Sequence, residues 1–101
     1  MQKHEVINAF IENGYCLEKM EEYGTVYFGK TVLRGDDVEV HKVVEIQENS
    51  KGKLWFHFYK TRKLPETEGH KLYGESLGAN LEEISIENGI VTDGWFNEFV
   101  L

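Results

Sequence analysis

Histidine and cysteine are the side chains best suited to bind zinc or carry a nucleophile near neutral pH. The chain holds His4, His41, His57, His70 and a single Cys16. A zinc centre needs ligands at the short spacings that put two of them on one side of a helix or turn. No two of these residues are so spaced, and Cys16 brings no second thiolate. His41 and His57 fall on adjacent expected strands, where two imidazoles can approach, but ordinary sheet-surface or packing roles are the expectation for them. Cys16 has Glu18, Glu21 and Glu22 as sequence neighbours, and their charge opposes thiolate formation, so it reads as a small core residue rather than a nucleophile. The ten glycines are scattered at turn positions, and none opens the Gly-rich pattern ending in Lys-Ser or Lys-Thr that cradles a phosphate. No catalytic residue, metal or cofactor is expected, and a small enzyme of unknown type is left without an assembled signature.

The remaining chemistry is in carboxylates and aromatic rings. Asp36, Asp37 and Glu39 follow a turn, but adjacent carboxylates diverge and the alternating acids of a calcium loop are missing. The same turn spells Arg34-Gly35-Asp36, which in a chain without a secretion signal reads as a tight turn rather than an adhesion motif. The stretch 53–63 is richer. Leu54, Phe56 and Phe58 share one parity and Trp55, His57 and Tyr59 the other, with Lys53, Lys60, Arg62 and Lys63 alongside. Rings that stack bases beside cations that follow phosphates are the composition of a single-strand-binding surface, whereas strands are rich in aromatics for packing reasons alone. Such a strand is either central and covered on both sides, or one of its faces binds something.

Charge is segregated around that strand. From Lys51 to Lys71 there are Lys51, Lys53, Lys60, Arg62, Lys63 and Lys71 against Glu66 and Glu68. Leu72 to Leu101 carries Glu75, Glu82, Glu83, Glu87, Asp93 and Glu98 with no Lys or Arg. A field divided in this way orients a charged partner before contact. If the six acids share a face, they suit a basic site on another protein, as an inhibitor or immunity-type factor would use them.

Length and composition frame these candidates. A chain of 101 residues, 41% apolar and 13% aromatic, supports one compact domain spanning 1–101. A net charge of −7 argues against broad binding to duplex DNA or an anionic membrane, both of which reward a basic footprint. One cysteine excludes an intrachain disulfide framework and fits a reducing cytosol. The polar opening Gln2-Lys3-His4-Glu5 lacks an apolar leader, and no segment approaches the roughly 18 apolar residues of a membrane span. A cytoplasmic protein is expected.

The elements that must position these groups follow from periodicity. Val6, Ile7, Phe10 and Ile11 recur at helical spacing, so His4 to Asn13 is an amphipathic helix with Asn13-Gly14 as its stop. Both Phe10 and Ile11 are expected to dock. Four strands follow across short turns: Tyr15 to Glu22, Thr25 to Leu33, Val38 to Glu48 and Lys53 to Lys63. Short loops make them antiparallel neighbours. In the third, Val38, Val40, Val44 and Ile46 share a parity that Lys42 interrupts. Leu64-Pro65-Glu66-Thr67-Glu68-Gly69 breaks the pattern as a long loop. Asn88-Gly89 then marks a hairpin and Asp93-Gly94 a further turn, before Trp95 to Leu101 docks as an added strand or a short helix.

The expected fold is α+β: an N-terminal helix packed on a four-stranded antiparallel meander, with a C-terminal hairpin or short helix. Its element order is similar to that of cystatin-like folds, a likeness that carries no function. The expected function is a non-enzymatic protein-binding domain directed at a basic site. The alternative is a single-stranded nucleic-acid binder using strand 53–63.

Overall fold

The computed structural model describes residues 1–21, 24–35, 38–63, 70–72, 74–95 and 97–101. The expected acidic pair Asp36-Asp37 and the long loop 64–69 lie outside the described residues.

Helix α1 (Lys3–Glu12) ends as its sequence dictates. Gly14 adopts φ +88°, its amide donates to the Ile11 carbonyl at 3.0 Å, and the Tyr15 amide donates to the Phe10 carbonyl at 2.9 Å. This is the Schellman arrangement, completed by the apolar contact it usually brings, here between the rings of Phe10 and Tyr15. Val6 and Phe10, four residues apart, are fully buried, with Ile7 and Ala9 packed at the margin. Ile11 does not dock: it is 56% exposed. A residue turns about 100° round a helix from its neighbour, and a helix seated on a sheet buries a seam that Phe10 fills and Ile11 overshoots.

The four expected strands form a meander: β1 (Cys16–Met20), β2 (Val26–Arg34), β3 (Glu39–Glu48) and β4 (Leu54–Lys63), each antiparallel to the next. The sheet continues further than expected. β5 (His70–Leu72) and β6 (Leu77–Asn80) both add to the far edge of β4, against Thr61–Lys63 and Trp55–Phe58 respectively. β4 is therefore paired on both sides, which suits its run of large side chains. Cys16 lies exposed on edge strand β1 instead of in the core. Among the described residues β1 is paired on one side alone, so its side chains are less covered than those of an inner strand.

A 3-10 turn (Leu81–Glu83) leads to a second, three-stranded antiparallel sheet of β7 (Ser85–Glu87), β8 (Ile90–Thr92) and β9 (Glu98–Val100). Asn88 at φ 52° and Gly89 at φ 73° supply the two positive angles that the β7–β8 turn requires. The C-terminal segment thus adds a strand rather than a helix. One core joins everything: Phe58 meets Phe10 of α1 at 5.6 Å and Phe99 of β9 at 5.7 Å between ring centroids. Helix and small sheet therefore cover the same face of the large sheet.

Lys42, which interrupts the apolar parity of β3, sits in a cross-strand row with Lys30 and Lys60. Its ammonium donates to the Val100 carbonyl at 2.8 Å, and Lys30 donates to the Asn13 carbonyl at the end of α1 at 2.7 Å. These lysines satisfy carbonyls at the rim of the core that strand pairing and helix bonding leave open. Burial, then Lys30 and Lys60, hold the Lys42 amine below its ordinary pKa. Among the described residues no helix is long and apolar enough to cross a membrane.

Candidate functional site

Strand β4 sends Leu54, Phe56 and Phe58 into the core and Trp55, His57 and Tyr59 to the opposite face of the large sheet. No described element packs across that second face, but only part of it is free. Tyr59 is 8% exposed, its hydroxyl donates to Glu45, and its ring lies 4.7 Å from that of His57. Burial and the Glu45 carboxylate push its pKa well above the ordinary tyrosine value. Trp55 is 42% exposed and lays its indole over Gly78 on β6, where a Cβ would come within 2.5 Å of the ring. An indole covering a strand glycine is a packing device as much as a binding one.

Only part of the basic flank expected from the sequence lies beside these rings. Lys60 and Arg62 have the opposite parity, and Lys53 pairs with Glu82 at 3.8 Å. The two strand histidines are also kept apart: His57 sits across from Glu45, and His41 across from Thr61, four residues further along β3. His57 Nδ1 lies 3.9 Å from Glu45, while His41 meets Glu39 at 3.6 Å and Thr31 at 3.2 Å. No group of three or more potential metal ligands occurs among the described residues.

The six acids of the C-terminal third separate into groups. Glu82 and Glu83 belong to the 3-10 turn, where Glu83 accepts from the Asn80 amide in a capping box and Glu82 faces Lys53. Asp93 is a structural acceptor. Its Oδ1 takes the Trp95 amide at 2.7 Å and the Asn97 amide at 3.1 Å, and its Oδ2 takes the Asn97 side chain at 3.0 Å. The Asn97 side-chain bond, then the two backbone amides, hold its carboxyl below the usual aspartate range. Glu87 and Glu98 do share a surface. Ladder pairing puts Glu87, Ile90 and Val100 in one row and Ser85, Thr92 and Glu98 in the next, all on the outer side of the small sheet. A shallow depression of about 210 Å³ lies among them. Glu75 approaches Glu98 in a neighbouring depression beside Lys60.

Trp95, expected from the sequence to dock with the C-terminal segment, does not: only the later part of that segment, Glu98–Val100, forms the added strand. Trp95 stands 80% exposed at the tip of the β8–β9 connection. The loop beneath it is closed at its base by the Asp93 amide, which donates to the Asn97 carbonyl at 3.2 Å, and braced by the three bonds to the Asp93 carboxylate. Val100, 59% exposed, is a second exposed apolar residue of this sheet, at the end of the β8–β9 ladder away from the turn. The signal available in the sequence was the Asp93-Gly94 turn immediately before Trp95, since turns run over the surface.

Comparison of the chain with protein-family models, with curated proteins and with solved structures finds no match in any of the three.

Proposed function

We propose that this is a non-enzymatic protein-binding domain that engages a basic site on its partner through the outer surface of the C-terminal sheet. Trp95 is the anchor, and Glu87 and Glu98 are the steering charges. The observation that carries this reading is an 80%-exposed tryptophan whose own amide, with that of Asn97, is held by the Asp93 carboxylate. Tryptophans are enriched among the few residues that dominate binding energy, and a preformed loop loses little entropy on docking. The surrounding carboxylates favour a basic protein surface and repel phosphate, so the same tryptophan is poorly placed for stacking on a nucleic-acid base. Steric or electrostatic occlusion of a partner's basic site is the manner of action of an inhibitor or immunity-type factor, and this arrangement suits it.

The test is capture of partners from a lysate of the native host, with wild-type domain and a Trp95→Ala variant compared side by side. Truncating a hot-spot tryptophan is expected to cost about 2 kcal/mol or more, roughly a thirtyfold loss of affinity. With the captured partner purified, Glu87→Lys with Glu98→Lys should slow association at low salt and flatten its ionic-strength dependence. Retention of the same partner by Trp95→Ala at unchanged affinity would remove this surface from consideration. Loss of the captured material on nuclease treatment would move the function to nucleic acid.

A further inference from the structure

The face of the large sheet that no described element covers holds a cleft of about 280 Å³, lined by Glu18, Lys19, Tyr27, His41, Val43, Tyr59 and Thr61. Two local features of the backbone build it. Between Leu17 and Lys19 strand β1 carries a bulge, so that Leu17 pairs with Phe28 and Lys19 already with Tyr27. The extra residue, Glu18, is aimed inward over β2. There it meets Gly29, and a Cβ on that residue would stand 2.6 Å from the Glu18 carboxylate. Glycine in a strand interior weakens the strand, and here its absent side chain is the space the carboxylate occupies.

That carboxylate has no settled partner. Among the described residues no hydrogen bond or ion pair engages Glu18, whereas the other charges near the cleft are committed. Lys19 turns to Glu21 at 3.0 Å, Glu39 pairs with Arg34 at 3.0 Å, and His41 meets Thr31 through Nδ1. Glu45, beyond Tyr59, accepts the tyrosine hydroxyl and adds a second negative charge, faced by His57 at 3.9 Å. Tyr59 is thereby fixed as one aromatic wall, and Tyr27 stands across from Glu45 as another.

We propose that this cleft binds an arginine side chain on an extended segment of a polypeptide, with the guanidinium against Glu18 and between the rings of Tyr27 and Tyr59. A planar cation that pairs with a carboxylate in fork geometry while stacking on aromatic faces is what such walls and such a charge accept; an ammonium satisfies the charge but not the stacking. A cleft of this volume has room for one such side chain. The site lies on a different sheet face from the Trp95 surface, so its test stands apart from that of the proposed function.

The experiment titrates the wild-type domain, followed by NMR of its aromatic and Glu18 signals, with Nα-acetyl-arginine methylamide, its citrulline and lysine counterparts, and a short arginine-containing peptide. Arginine is expected to shift the Tyr27, Tyr59 and Glu18 resonances. Citrulline, the neutral isostere, should bind at least tenfold more weakly, lysine more weakly than arginine, and the peptide more tightly than the single residue. Glu18→Gln should weaken arginine about tenfold with the fold intact. Gly29→Ala, whose Cβ displaces only the end of a flexible side chain, should do the same by moving the carboxylate. Equal affinity for arginine and citrulline, shifts located away from these residues, or undiminished binding by Glu18→Gln would each overturn the assignment. A free arginine derivative that binds as tightly as the peptide would overturn the polypeptide as the source of the guanidinium.

Discussion

Replacing Phe10 and Ile11 separately tests how the helix is seated. Phe10 is fully buried, and its ring lies between 5.6 and 6.2 Å from those of Tyr15, Phe28, Phe56 and Phe58. Truncating such a residue to alanine removes its transfer energy and leaves a void that four aromatic neighbours cannot close by small shifts, a cost of about 3 to 5 kcal/mol. A domain of this length has a total stability of about 5 to 15 kcal/mol, so Phe10→Ala stands to lose roughly a fifth of its stability or more. At about 4 to 8 °C per kcal/mol, the melting temperature should fall by at least about 12 °C. Because that variant can sit at the edge of folding, Phe10→Leu supplies a graded point: it keeps apolar volume but gives up the ring–ring contacts, each worth about 0.5 to 1.5 kcal/mol. Ile11→Ala, at a site 56% exposed, should stay within about 0.5 kcal/mol of wild type. The assay is urea denaturation followed by far-ultraviolet circular dichroism, with midpoints compared at constant slope. An Ile11→Ala loss comparable to that of Phe10→Leu would show that the helix is rotated from the position described, and the core with it.

Tyr15 is 2% exposed, and its hydroxyl has no hydrogen-bond partner among the described residues, so Tyr15→Phe should leave stability unchanged or raise it by about 1 kcal/mol; a clear loss would mean that the hydroxyl is satisfied. Burial raises the pKa values of Tyr15, Tyr59 and Tyr27 above the ordinary 10.0, which means the folded chain keeps phenolic protons that the unfolded chain releases. Stability from these groups is accordingly intact below about pH 10 and declines as pH rises beyond it, and denaturation midpoints measured from pH 8 to 11 should bend downward there. Trp95→Ala should leave the urea midpoint within about 0.5 kcal/mol of wild type while removing the more solvent-accessible part of the tryptophan fluorescence, which acrylamide quenching resolves.

Most of the fold was legible because it is written in local terms. Asn13-Gly14 and Asn88-Gly89 require positive φ and adopt it, and short turns between alternating segments leave antiparallel pairing as the only choice. The fifth row of the sheet was not legible. Residues 70–72 and 77–80 pair with β4 in two pieces, and neither piece is long enough to show a period of its own. The helix seam was misjudged by one position because Ile11 fits a helical spacing as well as Ile7 does. Only the shape of the surface beneath decides between them.

The site posed a harder problem, since parity tells which residues share a face but not which face is covered. Trp55, His57 and Tyr59 were correctly grouped with one another, yet the elements that chose to cover the other side of β4 come from helix α1 and from residues beyond 84, far away in sequence. The six acids of the last third looked like one charge and are several, because Asp93 and Glu83 are consumed by backbone amides at a turn and a cap, a role that depends on local geometry rather than on composition. Strict alternation also fails at β1, where one inserted residue puts Cys16 and Lys19 on the same face and Leu17 and Met20 on the other. The readable trace of that insertion is Gly29. A glycine inside a nine-residue strand of otherwise substantial side chains implies that something comes close to the backbone there, and the visitor is the Glu18 carboxylate. The same logic applies to Gly78 beneath Trp55. On this sheet the missing side chains mark where functional-looking groups are held, and they mark it more directly than the charged and aromatic residues that first draw attention.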